Sequence, residues 1–133
     1  CVKLSFIQLY NLALANHLLA LDGKQVPDKK RLQTARGLYE LAYTLQLTEM
    51  DIQPTLLQVM VIVNNLGQVH TALDNHDNAR ECFENLLSTL VFYADCGGNN
   101  DENHQDHREQ LDGFLSNVLP LIFAKGSQPA SAP

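Results

Sequence analysis

The chain has 133 residues, 45% of them hydrophobic and 18% charged, which suits one domain of ordinary size with a real core. Its formal charge of −6 argues against a nucleic-acid binder, which must neutralise phosphates with a basic face. Three cysteines, Cys1, Cys82 and Cys96, are too few and too scattered for a disulfide framework, so a reducing, intracellular and by default cytoplasmic setting is expected.

Charge is unevenly spread. Residues 1–50 carry six Lys/Arg against four acids, and residues 51–133 carry three against eleven. Because the chain starts at Cys1 rather than Met, it is expected to be a segment of a longer product, and a missing targeting signal carries little weight.

Helical periodicity runs from end to end. The first helix is predicted from about Lys3 to Asp22 and is apolar on most of its circumference, as in a helix packed between others. Leu4 to Leu21 is interrupted by Ser5, Gln8, Asn11, Asn16 and His17, so it reads as a buried soluble helix and no membrane span is expected. Gly23 stops it, and Pro27 sits in the following connection. The second helix, about Asp28 to Leu47, puts Leu32, Ala35, Leu38, Tyr39, Ala42, Tyr43 and Leu45 or Gln46 on one face. Its start, Lys29-Lys30-Arg31, reads as solvated charge.

Thr48 to Gln53 is the next connection, with Asp51 able to cap a third helix that carries Pro54 in its first turn and extends to about Leu73. The β-branched run Val61-Ile62-Val63 would suit a strand, but the helical pattern on both sides and the lack of a second strand overrule it. Asp74 to Asn78 is a tight polar turn, and a fourth helix follows to about Ala94. Cys96, Gly97 and Gly98 end it, and Asn99 to Asp106 is expected to be a polar loop. A last helix, about His107 to Ala124, carries Leu111, Phe114, Leu115, Val118, Leu119 and Ile122 on one face. Pro120 is expected to bend it or end its regular part early. The remainder, 125–133, is rich in Gly, Ser and Pro and is expected to be disordered.

The chain repeats itself. Ala35-Arg36-Gly37-Leu38-Tyr39-Glu40 aligns with Ala79-Arg80-Glu81-Cys82-Phe83-Glu84, and Asn11-Leu12-Ala13 aligns with Asn65-Leu66-Gly67. The repeating unit is a helix pair, with a longer turn in the first copy. Small residues (Ala13, Ala35, Gly67, Ala79) allow paired helices to approach closely, and Tyr39 and Phe83 fill the space between pairs.

On these residues the chain resembles the tetratricopeptide repeat. Val63, Leu66-Gly67, Ala79 and Phe83 in the second unit, and Leu9, Leu12-Ala13, Ala35 and Tyr39 in the first, stand at the family's places, and the step from Gly67 to Ala79 is the family's own. The first large aromatic and the closing proline are absent, and His70 and Asn16 replace the second aromatic. The resemblance implies an all-α, tetratricopeptide-like α–α superhelix of five helices. Its pairs would span about 3–47 and 51–95, closed by a helix at about 107–124, in one domain over 1–124.

It also implies a protein-interaction module, a scaffold or adaptor whose concave groove takes a peptide or protein. Tyr10 and Asn11, with Asn64, Asn65 and Gln68, would face that groove; paired amides at Asn11 and Asn65 suit the backbone of an extended peptide. The same amides equally suit hydrogen bonds to neighbouring helices, and the sequence leaves both readings open. A clamp for a terminal carboxylate is not expected, since Tyr10, Asn64 and Val61 stand where the family's lysine would. The alternative role is structural: two pairs are marginal for a stack, so the module would self-associate or stack within a larger repeat protein.

Catalytic signatures are missing. No Gly-rich phosphate loop occurs, and no nucleophile elbow surrounds Ser5, Ser88 or Ser116, so no enzyme activity and no cofactor are expected. Asn99 to His107 holds two imidazoles and three carboxylates but lacks the order of a calcium loop and leaves a zinc site incomplete; no metal is expected there. His17 and His70 are read as packing residues, His76 as a turn residue and Cys82 as a packed thiol.

Overall fold

The computed structural model describes residues 2–23, 25–48, 56–97 and 104–126. They form five helices: α1 (Val2–Leu21), α2 (Lys29–Thr48), α3 (Leu56–Ala72), α4 (His76–Gly97) and α5 (His104–Gly126), with no strand among the described residues. The Asp51 cap, Pro54, most of the Asn99–Asp106 segment and the tail beyond Gly126 lie outside the described residues.

Helix ends follow local chemistry. Gly23 takes a left-handed backbone (φ 59°) after α1, where a residue without Cβ is unstrained. Asp28 caps α2: its side-chain oxygen accepts from the Arg31 N–H at 3.2 Å, and its carbonyl from the Leu32 N–H. At the end of α3 the Asn75 N–H donates to the His70 carbonyl and the Asp74 N–H to the Thr71 carbonyl. This double closure needs a left-handed residue at position 74, and Asp74 supplies it at φ 61°.

Consecutive helices are the main neighbours: α1 packs on α2, α2 on α3, α3 on α4 and α4 on α5. Two apolar clusters result. One joins α1, α2 and α3 around Ala13, Ala35, Tyr39, Ile62 and Leu66; the other joins α3, α4 and α5 around Met60, Phe83, Leu86, Phe114 and Val118. α2 buries Leu32, Ala35, Tyr39, Ala42 and Gln46, spacings of three and four that keep one face inward. Gln46 rather than Leu45 is the buried residue there, and its amide donates to Gln58 Oε1 at 3.3 Å. Between α3 and α4, Gly67 lets the Phe83 ring come close: a Cβ at this position would stand 2.7 Å from Phe83 Cε1 and Cζ, so the ring would have to shift.

Four expectations are corrected. α1 is not packed between others: among the described residues its principal neighbour is α2, and Leu4, Ile7, Leu12, Leu18 and Leu19 are about half exposed. Leu4–Leu21 is therefore not a buried helix, and by length and composition it is long and apolar enough to cross a membrane. Leu12, read as a packing residue of the repeat, is 53% exposed, because among the described residues no helix stands on the side where its equivalent Leu66 meets the first pair. α5 runs through Pro120 to Gly126, so the helix does not end early at the proline. Pro120 faces water, so the hydrogen bond it cannot donate belongs to the exposed Ser116 carbonyl side of the helix. The inward stripe of α5 is also narrower than its periodicity suggests. Phe114 and Val118 are buried, but Leu115 and Leu119 are exposed, because α4 alone lies broadly against it.

Candidate functional site

The five residues expected to line a groove divide into two groups. Tyr10, Asn64 and Asn65 are drawn into an internal chain of hydrogen bonds. The Asn65 amide nitrogen donates to Tyr10 Oη (3.2 Å) and to Tyr39 Oη (3.3 Å), and Asn65 Oδ1 accepts from Asn64 Nδ2 (3.2 Å). Asn64 Oδ1 in turn accepts from Asn117 Nδ2 at 2.7 Å. One run of polar contacts thus ties α5 to α3, and α3 to both α1 and α2. Asn64 is buried, and the others are half-buried apart from the fully buried Tyr39. Burial pushes the Tyr10 phenol up, and burial together with the neighbouring Tyr10 pushes Tyr39 up further; the Asn65 hydrogen bond opposes both shifts. Both rings stay neutral, acting as hydrogen-bonding partners rather than acids.

Asn11 and Gln68 lie elsewhere. Asn11 is exposed on α1 and does not join its repeat-equivalent Asn65. Gln68 lines an open groove of about 680 Å³, bounded by His17 and Leu21 of α1, Thr71 and Ala72 of α3, His76 and Arg80 of α4, and Asn117 and Pro120 of α5. Most of the surface it exposes is apolar, from Leu21, Ala72, Ala79, Phe83 and Pro120, with one amide on α3, one on α5 and the hydroxyls of Thr71 and Ser116 beside them. Arg80 is the one fully charged side chain on its walls, and no carboxylate lines the groove among the described residues.

The repeat residues are placed as follows. Ala13, Ala35, Tyr39, Leu66, Gly67, Ala79 and Phe83 are all buried, and Leu12 is exposed. Phe83 both covers Gly67 and lines the groove.

His17 is 3% exposed, packs edge-on against the Tyr39 ring at 6.1 Å, and has no hydrogen-bond partner for either nitrogen. Burial pulls its pKa down, so the ring stays neutral near pH 7. His70 is likewise buried, pulled down by burial and by the Arg36 charge against an opposing Glu40. Cys82 is half-buried, and burial with nearby Glu81 and Glu40 pushes its thiol up, which disfavours the reactive thiolate. Among the described residues no cluster of three His, Cys, Asp or Glu side chains could hold a metal.

Asn117, Arg80 and Thr71 line the groove without standing among the expected site residues, and His76, expected in a turn, opens α4 and lines it too. For Asn117 a signal existed: Asn117-Val118 stands where Asn11-Leu12 and Asn65-Leu66 stand, one helix pair further on. For Arg80 and His76 no signal existed, because they reach the groove from the start of α4 only through the α3–α4 crossing. No protein-family model matches the chain, and neither a curated protein nor a solved structure matches it.

Proposed function

We propose that this chain is a tetratricopeptide-like interaction module, a non-catalytic scaffold or adaptor that seats a peptide segment of another protein in the groove between α1, α3 and α5. The observation that supports this most is the groove itself. It opens beside the first helix of each pair and beside α5, and its largely apolar walls carry two amides, two hydroxyls, two imidazoles and one guanidinium. Gln68 offers a donor and an acceptor to a peptide backbone, and Arg80 favours a peptide bearing a carboxylate. The Tyr10, Asn64 and Asn65 network holds the walls in register rather than meeting the ligand. A reducing, intracellular setting fits the free, half-buried Cys82.

Selection from a display library of random peptides tests the reading. Enriched peptides are expected to bind with acidic residues over-represented, to weaken with salt, and to lose at least tenfold in affinity to Gln68→Ala/Arg80→Ala. Peptides that bind the double variant as tightly as the unaltered chain would sink it.

A further inference from the structure

One exposed side of α1, running down to Leu21 at the groove wall, carries a second pattern that the repeat does not require. Leu4, Ile7, Asn11, Leu14, Leu18 and Leu21 recur at spacings of three and four, the a and d positions of a coiled-coil seam, with Asn11 at an a position near the middle of the helix. Five of the six are exposed, Leu4 and Leu18 by about 60% of their surface, and Leu14 is half-buried.

Comparison with α3 separates this seam from the faces that build the fold. The stripe by which α3 meets the first pair is Ile62, Leu66, Val69 and Leu73; its equivalents on α1 are Gln8, Leu12, Ala15 and Leu19. The seam is a different set. Its equivalents on α3 are Gln58, Val61, Asn65, Gln68 and Ala72, with Asn75 just beyond, so amides stand on α3 at four of the six places and aliphatic residues on α1 at five.

We infer that this seam is an interface between two copies of the chain, with the α1 helices side by side, parallel and in register. Parallel pairing sets Asn11 against Asn11 of the second copy, where two amides satisfy each other; antiparallel pairing would bury the same amide against Leu14. Charge does not oppose the pairing, because Val2–Leu21 contains no acid and only Lys3 as a base. The two seams together bury on the order of 1,000 Å², the lower bound for a specific interface. A seam this short would not hold isolated helices together, but α1 is already ordered on α2, so pairing bears no helix-forming cost. Leu21 belongs both to the seam and to the groove wall, so the paired helices meet the groove at that end, but the pairing does not require the groove to be occupied.

Light scattering across a concentration series, with circular dichroism on every variant, tests it. The chain is expected to be a dimer at micromolar concentration. Ile7→Glu and Leu18→Glu are expected to weaken dimerisation at least a hundredfold with helicity unchanged, since both positions face water in one copy. Leu12→Glu, exposed but off the seam, is expected to leave the dimer intact. With the native cysteines replaced, Leu4→Cys is expected to cross-link to itself under oxidation, which antiparallel pairing would prevent by opposing Leu4 to Leu21. A chain monomeric at every concentration would overturn the inference. So would a dimer broken by Leu12→Glu but not by Leu18→Glu, or a monomer that floats with phosphatidylcholine vesicles until Leu18→Glu is introduced.

Discussion

α1 and α3 hold equivalent places in the two helix pairs and are similarly apolar, yet they live in different surroundings. α3 has α2 on one side and α4 on the other, and buries Met60, Ile62, Asn64, Leu66, Gly67, Val69 and His70. α1 rests mainly on α2, burying Ala13, His17 and Ala20 and leaving six aliphatic side chains exposed. The difference teaches that hydrophobicity around a helix reports how much surface is available to be covered, not how many neighbours cover it.

The largest expected effect probes this contrast directly. Leu66→Ala, in the core, is expected to cost roughly 2–4 kcal/mol of unfolding free energy, and the equivalent Leu12→Ala under about 0.5 kcal/mol, by chemical denaturation. Comparable losses would mean that Leu12 is covered in solution.

Next is the small residue at the pair contact. Gly67→Ala would give α3 the alanine that α1 has at Ala13, but its Cβ meets the Phe83 ring, so a loss of about 1–3 kcal/mol is expected. Phe83→Leu in the same chain should recover part of it, a coupling that a double-mutant cycle reads.

His17 and its equivalent Thr71 differ in satisfaction. Thr71 donates to the Gly67 carbonyl at 2.9 Å, whereas both His17 nitrogens are buried without partners. His17→Phe keeps a ring against Tyr39 and is expected to stabilise the chain by about 1 kcal/mol. The histidine is harder to protonate in the folded chain than in the unfolded one. Its contribution is therefore complete above about pH 6.5 and is lost as pH falls from there through the lowered folded value. The phenylalanine variant should accordingly lose less stability than the parent between pH 7.5 and 5. An equal loss would mean that His17 is protonated as easily folded as unfolded.

The smallest effect compares the two helix ends. Both take a left-handed residue, Gly23 after α1 and Asp74 after α3. Asp74→Gly is expected to stabilise by about 0.5–1 kcal/mol by relieving the Cβ at positive φ. The Asp74–Lys29 ion pair it removes, 3.8 Å long with both side chains well exposed, contributes little. A lower midpoint for the glycine variant would show that the ion pair outweighs the backbone strain.

Much of the architecture was legible along the chain. The five helices follow from 3.6-residue periodicity and from the breaks at Gly23 and Asp74, which are local properties of the backbone. The small residues Ala13, Ala35, Gly67 and Ala79 announced close helix contacts because nothing else explains small side chains on an apolar face. The candidate site was less legible. Gln68 lines the open groove, whereas Asn65 is consumed by two phenols that lie 26 and 55 residues away in sequence.

The sequence by itself determined that this protein is helical, where most helices begin and end, and which face of α2 points inward, because spacing and capping act within a few residues. Only the tertiary structure decided which amides face a groove and which are spent inside. It also decided that Arg80 and His76 reach the groove, and that among the described residues one side of α1 is left exposed. Those outcomes depend on which helices meet and at what angle, and that is fixed by contacts between residues far apart in the chain.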